Sequence, residues 1–245
     1  MKNFALATVL AAAFCTNLAR ADDAAKPDND LSFNVSLTSD YRYRGISQSR
    51  LDPALQGGAD YVNNPTGLYA GTWLSTIKWI EDLPGGSDSI EWDLYAGKRG
   101  NITADLSYDV GFLSYVYPSN GLSPSANTTE IYGQLGFGPA YIKYSDSLTN
   151  LFGNPDSKNS GYLDVGANID VDNGFTINLH AGHQTVANNS SLSYSDWKVG
   201  VTKDFGFASV AAAVVGTNTR NYVGPSPDNM NLGKTALVVS VSKVF

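Results

Sequence analysis

One cysteine, two histidines and two methionines are all that this 245-residue chain holds of those types. Cys15 is alone, so the chain can form no internal disulfide and no thiolate metal site. His180 and His183 are too few for a metal centre unless the fold brings carboxylates to them, and Asp146, Asp156 and Asp164 lack the spacing of a calcium loop. Charged residues make up only 16% of the chain, below the ~25% usual in soluble domains. Sixteen basic residues face 23 acidic ones, a net charge of -7 that argues against nucleic-acid binding, which needs a clustered basic surface. Beyond the first residues no apolar run approaches the roughly 20 needed for a membrane-spanning helix. Nor does a Pro/Ser-rich linker divide the chain, so one domain is expected.

The first residues follow an export pattern. Lys2 gives a positive start, an apolar stretch runs from Phe4 to Phe14, and Ala19-Arg20-Ala21 offers small residues at the positions a signal peptidase reads. Residues 1–21 are therefore expected to be a signal peptide, cut after Ala21, and residues 22–30 a polar tail. Phe14 directly before Cys15 excludes lipidation, which needs a small residue there. The mature chain is then free of cysteine, in keeping with an exported protein that does not depend on disulfides.

From Leu31 onward the dominant pattern has period two. Leu31, Phe33, Val35 and Leu37 alternate with Ser32, Asn34, Ser36 and Thr38. The same alternation returns at 90–97, 102–112, 163–171 and 175–182. Successive strand side chains point to opposite faces, so each segment sets one face in an apolar medium and the other in a polar one. Short turns are expected at 63–67, 98–101, 138–139, 172–174 and 205–207, and longer polar loops at 45–53, 81–89, 118–128, 149–160, 187–193 and 218–233. Short and long connections thus alternate, as in outer-membrane barrels with short periplasmic turns and longer extracellular loops. The fold class expected is all-β, an antiparallel transmembrane β-barrel over residues 31–245 with about twelve strands; ten and fourteen also satisfy the pattern. Residues 54–62, 67–79 and 207–217 are the least regular, because glycines and alanines blur the apolar face. A soluble β-sandwich also alternates, but its strands usually run about 5–6 residues, and several segments here sustain alternation for ten or more. Leu237, Val239, Val241 and Phe245 share one face, interrupted by Lys243. A terminal Phe on such a strand resembles the signal that the barrel-assembly machinery reads.

The stretch Ser39-Asp40-Tyr41-Arg42-Tyr43-Arg44-Gly45-Ile46-Ser47-Gln48-Ser49, followed by Pro53-Ala54-Leu55-Gln56-Gly57-Gly58, resembles the opening motif of the TorF family of proteobacterial outer-membrane proteins. Gly67 to Ser75, Ile90 to Gly97, Tyr108 to Gly111, Tyr115 to Pro118 and Thr129 to Tyr132 are similar to its later blocks. The resemblance implies a porin-like barrel in the outer membrane of a Gram-negative bacterium. It brings no established substrate and no catalytic residues.

If the apolar face meets lipid, the lumen receives Asp40, Arg42, Arg44, Asp60, Glu91, Asp93, Asp105, Asp109, Glu130, Tyr132, Asp164 and Asp170. Charges on a lipid face cost roughly 2–4 kcal/mol near the bilayer centre, so they turn inward. There they either create a field that selects a small polar solute or form a salt-bridged filling of a narrow barrel. The excess of acidic groups favours cations. Trp73, Trp79, Trp92 and Trp197 form either aromatic girdles at the membrane interfaces, the favoured reading, or a sugar path. The leading functional expectation is passive diffusion of a small hydrophilic solute, with membrane lipid and the assembly machinery as partners, no nucleic acid, no metal and no cofactor. A plugged barrel acting through its loops is the alternative. A lipid-modifying enzyme needs Ser and His in hydrogen-bond reach on the lipid side; His180 falls on the polar face, and no G-x-S-x-G motif accompanies it. The chain is therefore read as a non-enzyme.

Overall fold

The computed structural model describes residues 27–245; the expected signal peptide, 1–21, and most of the expected tail lie outside them. β1 (Asn29–Thr38) is followed by a small insertion, β2 (Arg42–Tyr43) and β3 (Ile46–Ser47). Then come β4 (Ala54–Asn63), β5 (Leu68–Thr76), β6 (Ile90–Asn101), β7 (Leu106–Val116), β8 (Thr128–Phe137) and β9 (Ala140–Ser147). The last five are β10 (Gly161–Val171), β11 (Phe175–Thr185), β12 (Tyr194–Asp204), β13 (Ser209–Thr217) and β14 (Ala236–Val244). All but β2 and β3 join in one closed antiparallel barrel of twelve strands, each paired with its neighbour in sequence, and β1 pairs with both β4 and β14. The closing ladder runs from Thr38↔Ser240 to Asn34↔Val244, and the backbones of Phe33 and Phe245 exchange hydrogen bonds of 3.2 and 2.8 Å beyond it.

Closure leaves no strand edge exposed, which matters where no water can satisfy an unpaired backbone. The side chains then sort by period two, as the alternation requires. In β1, Leu31 and Leu37 are 60% and 56% exposed, whereas Ser36 and Thr38 are nearly sealed. This is the inverse of a soluble sandwich. Each exposed Leu or Phe would forgo about 1.5–3 kcal/mol in water, so the exterior requires an apolar medium.

Five short turns (64–67, 102–105, 138–139, 172–174, 205–208) alternate with six longer connections (39–53, 77–89, 117–127, 148–160, 186–193, 218–235). One expected turn is misplaced. Residues 98–101 complete β6, with Arg99 paired to Asp109, and the reversal comes at 102–105. The Thr103 hydroxyl oxygen accepts the amides of Asp105 and Leu106, a side-chain turn that overrides the local alternation. Asp105 is consequently an exposed turn residue and not part of the lumen.

Candidate functional site

The site is the barrel interior, and its largest intruder is the connection 39–53. It folds back into the bore as the β2–β3 hairpin, with Arg42 opposite Ser47 and Tyr43 opposite Ile46. The reversal places both Arg44 (φ 46°) and Gly45 (φ 79°) in the left-handed region, as a two-residue hairpin turn demands. Gly45 suits it on two counts: a Cβ there would meet Thr217 Cγ2 at 2.6 Å and Asp196 Cβ at 2.7 Å. Asp40 anchors the base, accepting from Arg42 Nε at 2.5 Å and from Ser47 Oγ at 2.6 Å. Arg42 Nη1 also donates to the carbonyls of Gly45, Leu232 and Lys234, tying the hairpin to the connection 218–235.

At the hairpin tip, Arg44 Nη2 donates to Glu130 of β8 at 2.7 Å and Nη1 to Gln184 of β11 at 2.5 Å, while its guanidinium lies 4.1 Å from the Tyr162 ring centre. Burial works against the Arg44 charge, but the Glu130 carboxylate beside it more than offsets this, and its pKa stands well above the ordinary value. Arg44 therefore stays charged.

Two unlike sectors flank this pin. On the side of β4 to β8, tyrosines fill the bore and satisfy carboxylates. Tyr41 and Tyr117 donate to Glu91 at 2.5 and 2.7 Å, Tyr69 to Asp109 at 2.6 Å, and Tyr95 to Asp60 at 2.5 Å. Burial, with Glu91 beside it, pushes the Tyr41 phenol well above its usual range, so it donates rather than ionises. Trp73 meets Tyr41 edge-on, and Phe152 packs against Tyr43, Tyr115, Tyr117 and Trp79. Glycines make room for the rings: Gly71, Gly97, Gly111 and, farther round, Gly166 lie directly opposite Tyr95, Tyr69, Tyr132 and Tyr141. A Cβ at each of these glycines would come within 2.4–2.8 Å of the facing tyrosine.

The other sector is open. A cavity of about 150 Å³ lies between the hairpin and a wall of small residues, Ala211, Ala213, Val215, Val238 and Ser240. Its charged lining comprises Asp40, Glu130, Asp164 and Asp196 against Arg42, Arg44, Lys143 and Lys198, with His180 among them. His180 sits between two carboxylates, Nδ1 at 2.8 Å from Asp164 and Nε2 at 2.6 Å from Asp196, with Tyr162 Oη at 3.1 Å. Among the described residues no group of three or more His, Cys, Asp or Glu is placed to hold a metal ion.

Of the residues the alternation placed in the lumen, Asp40, Arg42, Arg44, Glu130, Tyr132 and Asp164 line the cavity. Glu91, Asp93 and Asp109 are buried in the filled sector, where Asp60 is half-buried, and Asp170 lies at the mouth, accepting from Thr176 at 2.9 Å. Asp105 stands outside, as described above. The tryptophans divide: Trp92 and Trp197 face outward, as girdle residues do, whereas Trp73 is sealed inside and Trp79 packs in the connection 77–89. Lys143, Tyr162, Asp196 and Lys198 also line the cavity. Their signal was present, since Tyr141-Ile142-Lys143-Tyr144-Ser145 and Tyr194-Ser195-Asp196-Trp197-Lys198 alternate like the other strands. A further pair lies outside: His183 Nδ1 and Ser195 Oγ are 2.9 Å apart on adjacent strands, on the face away from the bore.

The profile of a bacterial protein family of unknown function, Gcw_chp, matches residues 21–245. No curated protein matches the chain. Among solved structures, a chain from work on the in-meso crystallization of membrane proteins is similar over 88% of this chain and 83% of its own, with 10% identity and a TM-score of 0.52. A mutant form of Rh. blastica porin is 10% identical over 78% of this chain, which spans only 55% of that porin, with a TM-score of 0.38. LpxR from Salmonella typhimurium is 10% identical over 87% of this chain and 99% of its own, at 0.42. The first of these is a likeness of fold.

Proposed function

The chain belongs to Gcw_chp, a bacterial family of unknown function, and from its own geometry we propose that it is a narrow outer-membrane channel passing small hydrophilic solutes by diffusion. The observation that carries this reading is the division of the bore, half of it packed with rings and the other half kept as a polar cavity beside an inserted hairpin. A barrel that served only as a scaffold gains nothing from an unfilled space lined by eight charged side chains. The apolar exterior, the export pattern at 1–21 and the TorF-like motif at 39–58, which forms the hairpin, support placement in the outer membrane of a Gram-negative bacterium. Lipid and the barrel-assembly machinery are its partners in this reading.

Single-channel recording in planar bilayers tests it. The purified protein is expected to give small discrete conductance steps that grow when residues 42–47 are replaced by a short glycine linker. An intact barrel, judged by circular dichroism and heat-modifiable migration, that passes no current before or after this replacement would make the protein a plugged barrel instead.

A second reading rests on Ser195 and His183. A serine hydroxyl hydrogen-bonded to an imidazole on the lipid-facing surface is the minimal unit of an acyl hydrolase. It ranks second because His183 Nε2 has no hydrogen-bonded group to orient it among the described residues. Fatty-acid release from phospholipid vesicles, lost in Ser195→Ala, would establish it, and no release from the native protein would dispose of it.

A further inference from the structure

The cavity lining carries charges of both signs, but they are not equally committed. Asp40 is answered by Arg42 and Ser47, Glu130 by Arg44, Asp164 by His180, and Asp196 by His180 and Tyr162. Arg42 and Arg44 in turn spend their Nη1 donors on carbonyl oxygens and on Gln184, while Arg42 Nη2 and Arg44 Nε are buried without a partner. Lys143 is different. Its ammonium sits 4.0 Å from the Tyr132 ring centre, half-buried, with no hydrogen bond and no ion pair to any described carboxylate. Strand register sets its backbone opposite Gln134 and Asp164, and its side chain lines the cavity. A ring face holds a cation in place without consuming its N–H donors.

We propose that this cavity is a binding site for a small monocarboxylate within the passage, its carboxylate received by Lys143 and its aliphatic body lying on Ala211, Ala213 and Val215. The inference rests on the channel reading and names its substrate class. Lys143, which makes no hydrogen bond, and the unpartnered Arg42 Nη2 and Arg44 Nε give this lining spare cationic donors, which suit a single carboxylate. A bare inorganic anion would leave the small apolar wall without a function, whereas a short carbon chain covers it. About 150 Å³ is the size of a cavity that takes a six-membered ring, so the solute has on the order of six non-hydrogen atoms. The acidic excess of the whole chain does not bear on this, because Glu91, Asp109 and Asp60 of the filled sector accept from tyrosine hydroxyls.

Lactate is a suitable probe, with 1-propanol and propylammonium as neutral and cationic counterparts. Isothermal titration of the folded full-length protein in detergent is expected to show lactate binding and none of propylammonium or 1-propanol. Lys143→Gln should weaken lactate about tenfold or more, and Lys143→Arg should restore most of it. Ala213→Leu, which fills the site from the opposite wall without touching a charge, should also abolish binding. No lactate binding, or equal binding by Lys143→Gln and the native protein, overturns the site. Bilayer recording on the same preparation separates the two readings. A protein that conducts but does not bind lactate loses this site and keeps the channel, and one that binds lactate but never conducts loses the channel.

Discussion

Arg44 and Glu130 stand 86 residues apart in the chain and 2.7 Å apart inside the barrel, the tip of one connection gripping the far wall. Both side chains are almost wholly sealed, at 4% and 3% exposure. A buried pair of this kind penalises the loss of one partner more than the loss of both. Arg44→Ala and Glu130→Gln are each expected to cost about 3–5 kcal/mol, and the double variant less than their sum by more than about 1 kcal/mol. Guanidinium unfolding in lipid vesicles measures this cycle; strict additivity would mean the two do not act as a pair.

Tyr41 and Tyr117 are the two donors to Glu91. Tyr41→Phe keeps the ring against Trp73 and removes only the hydroxyl. The expected loss is about 1.5–3 kcal/mol, typical of a hydrogen bond to a charged group. The same unfolding assay reads it, and a loss below about 0.5 kcal/mol would show that Tyr117 suffices.

Gly97 lies opposite Tyr69, and a Cβ there would come within 2.5 Å of the Val110 carbonyl oxygen and into the phenol ring. Gly97→Val is expected to destabilise the barrel by about 1–3 kcal/mol and to displace Tyr69 from Asp109. Tyr69→Ala in the same chain should recover part of the loss, because it removes the ring that the valine strikes.

Val199 sits midway along β12 and is 53% exposed to the exterior. Val199→Arg places a charge in the hydrocarbon and is expected to cost about 2–4 kcal/mol, while Val199→Leu should be nearly neutral. Insertion yield into vesicles checks the pair. Equal yields would contradict the assignment of this face to lipid.

Much of this architecture could be read from the alternation alone. Leu31 to Thr38 declared an apolar and a polar face, and the order of short and long connections gave the barrel its two ends. The failures have local causes. Asp105 kept the alternation but lost the strand, because Thr103 offered the backbone a turn. Residues 54–62 were obscure because Gly57 and Gly58 carry no side chain to mark a face. The interior could be listed but not assembled: Arg44 reaches Glu130 only through a hairpin insertion, and Gly97 meets Tyr69 only through register. Neither relation leaves a periodic trace.

The small-residue wall of the cavity comes from β13 and β14, and β14 is one side of the joint at which the barrel closes on β1. The space beside the hairpin is therefore bounded on one side by the strand that closes the barrel. Until β1 and β14 pair, that space lacks one of its walls. In the channel reading, the passage is complete only when that seam is.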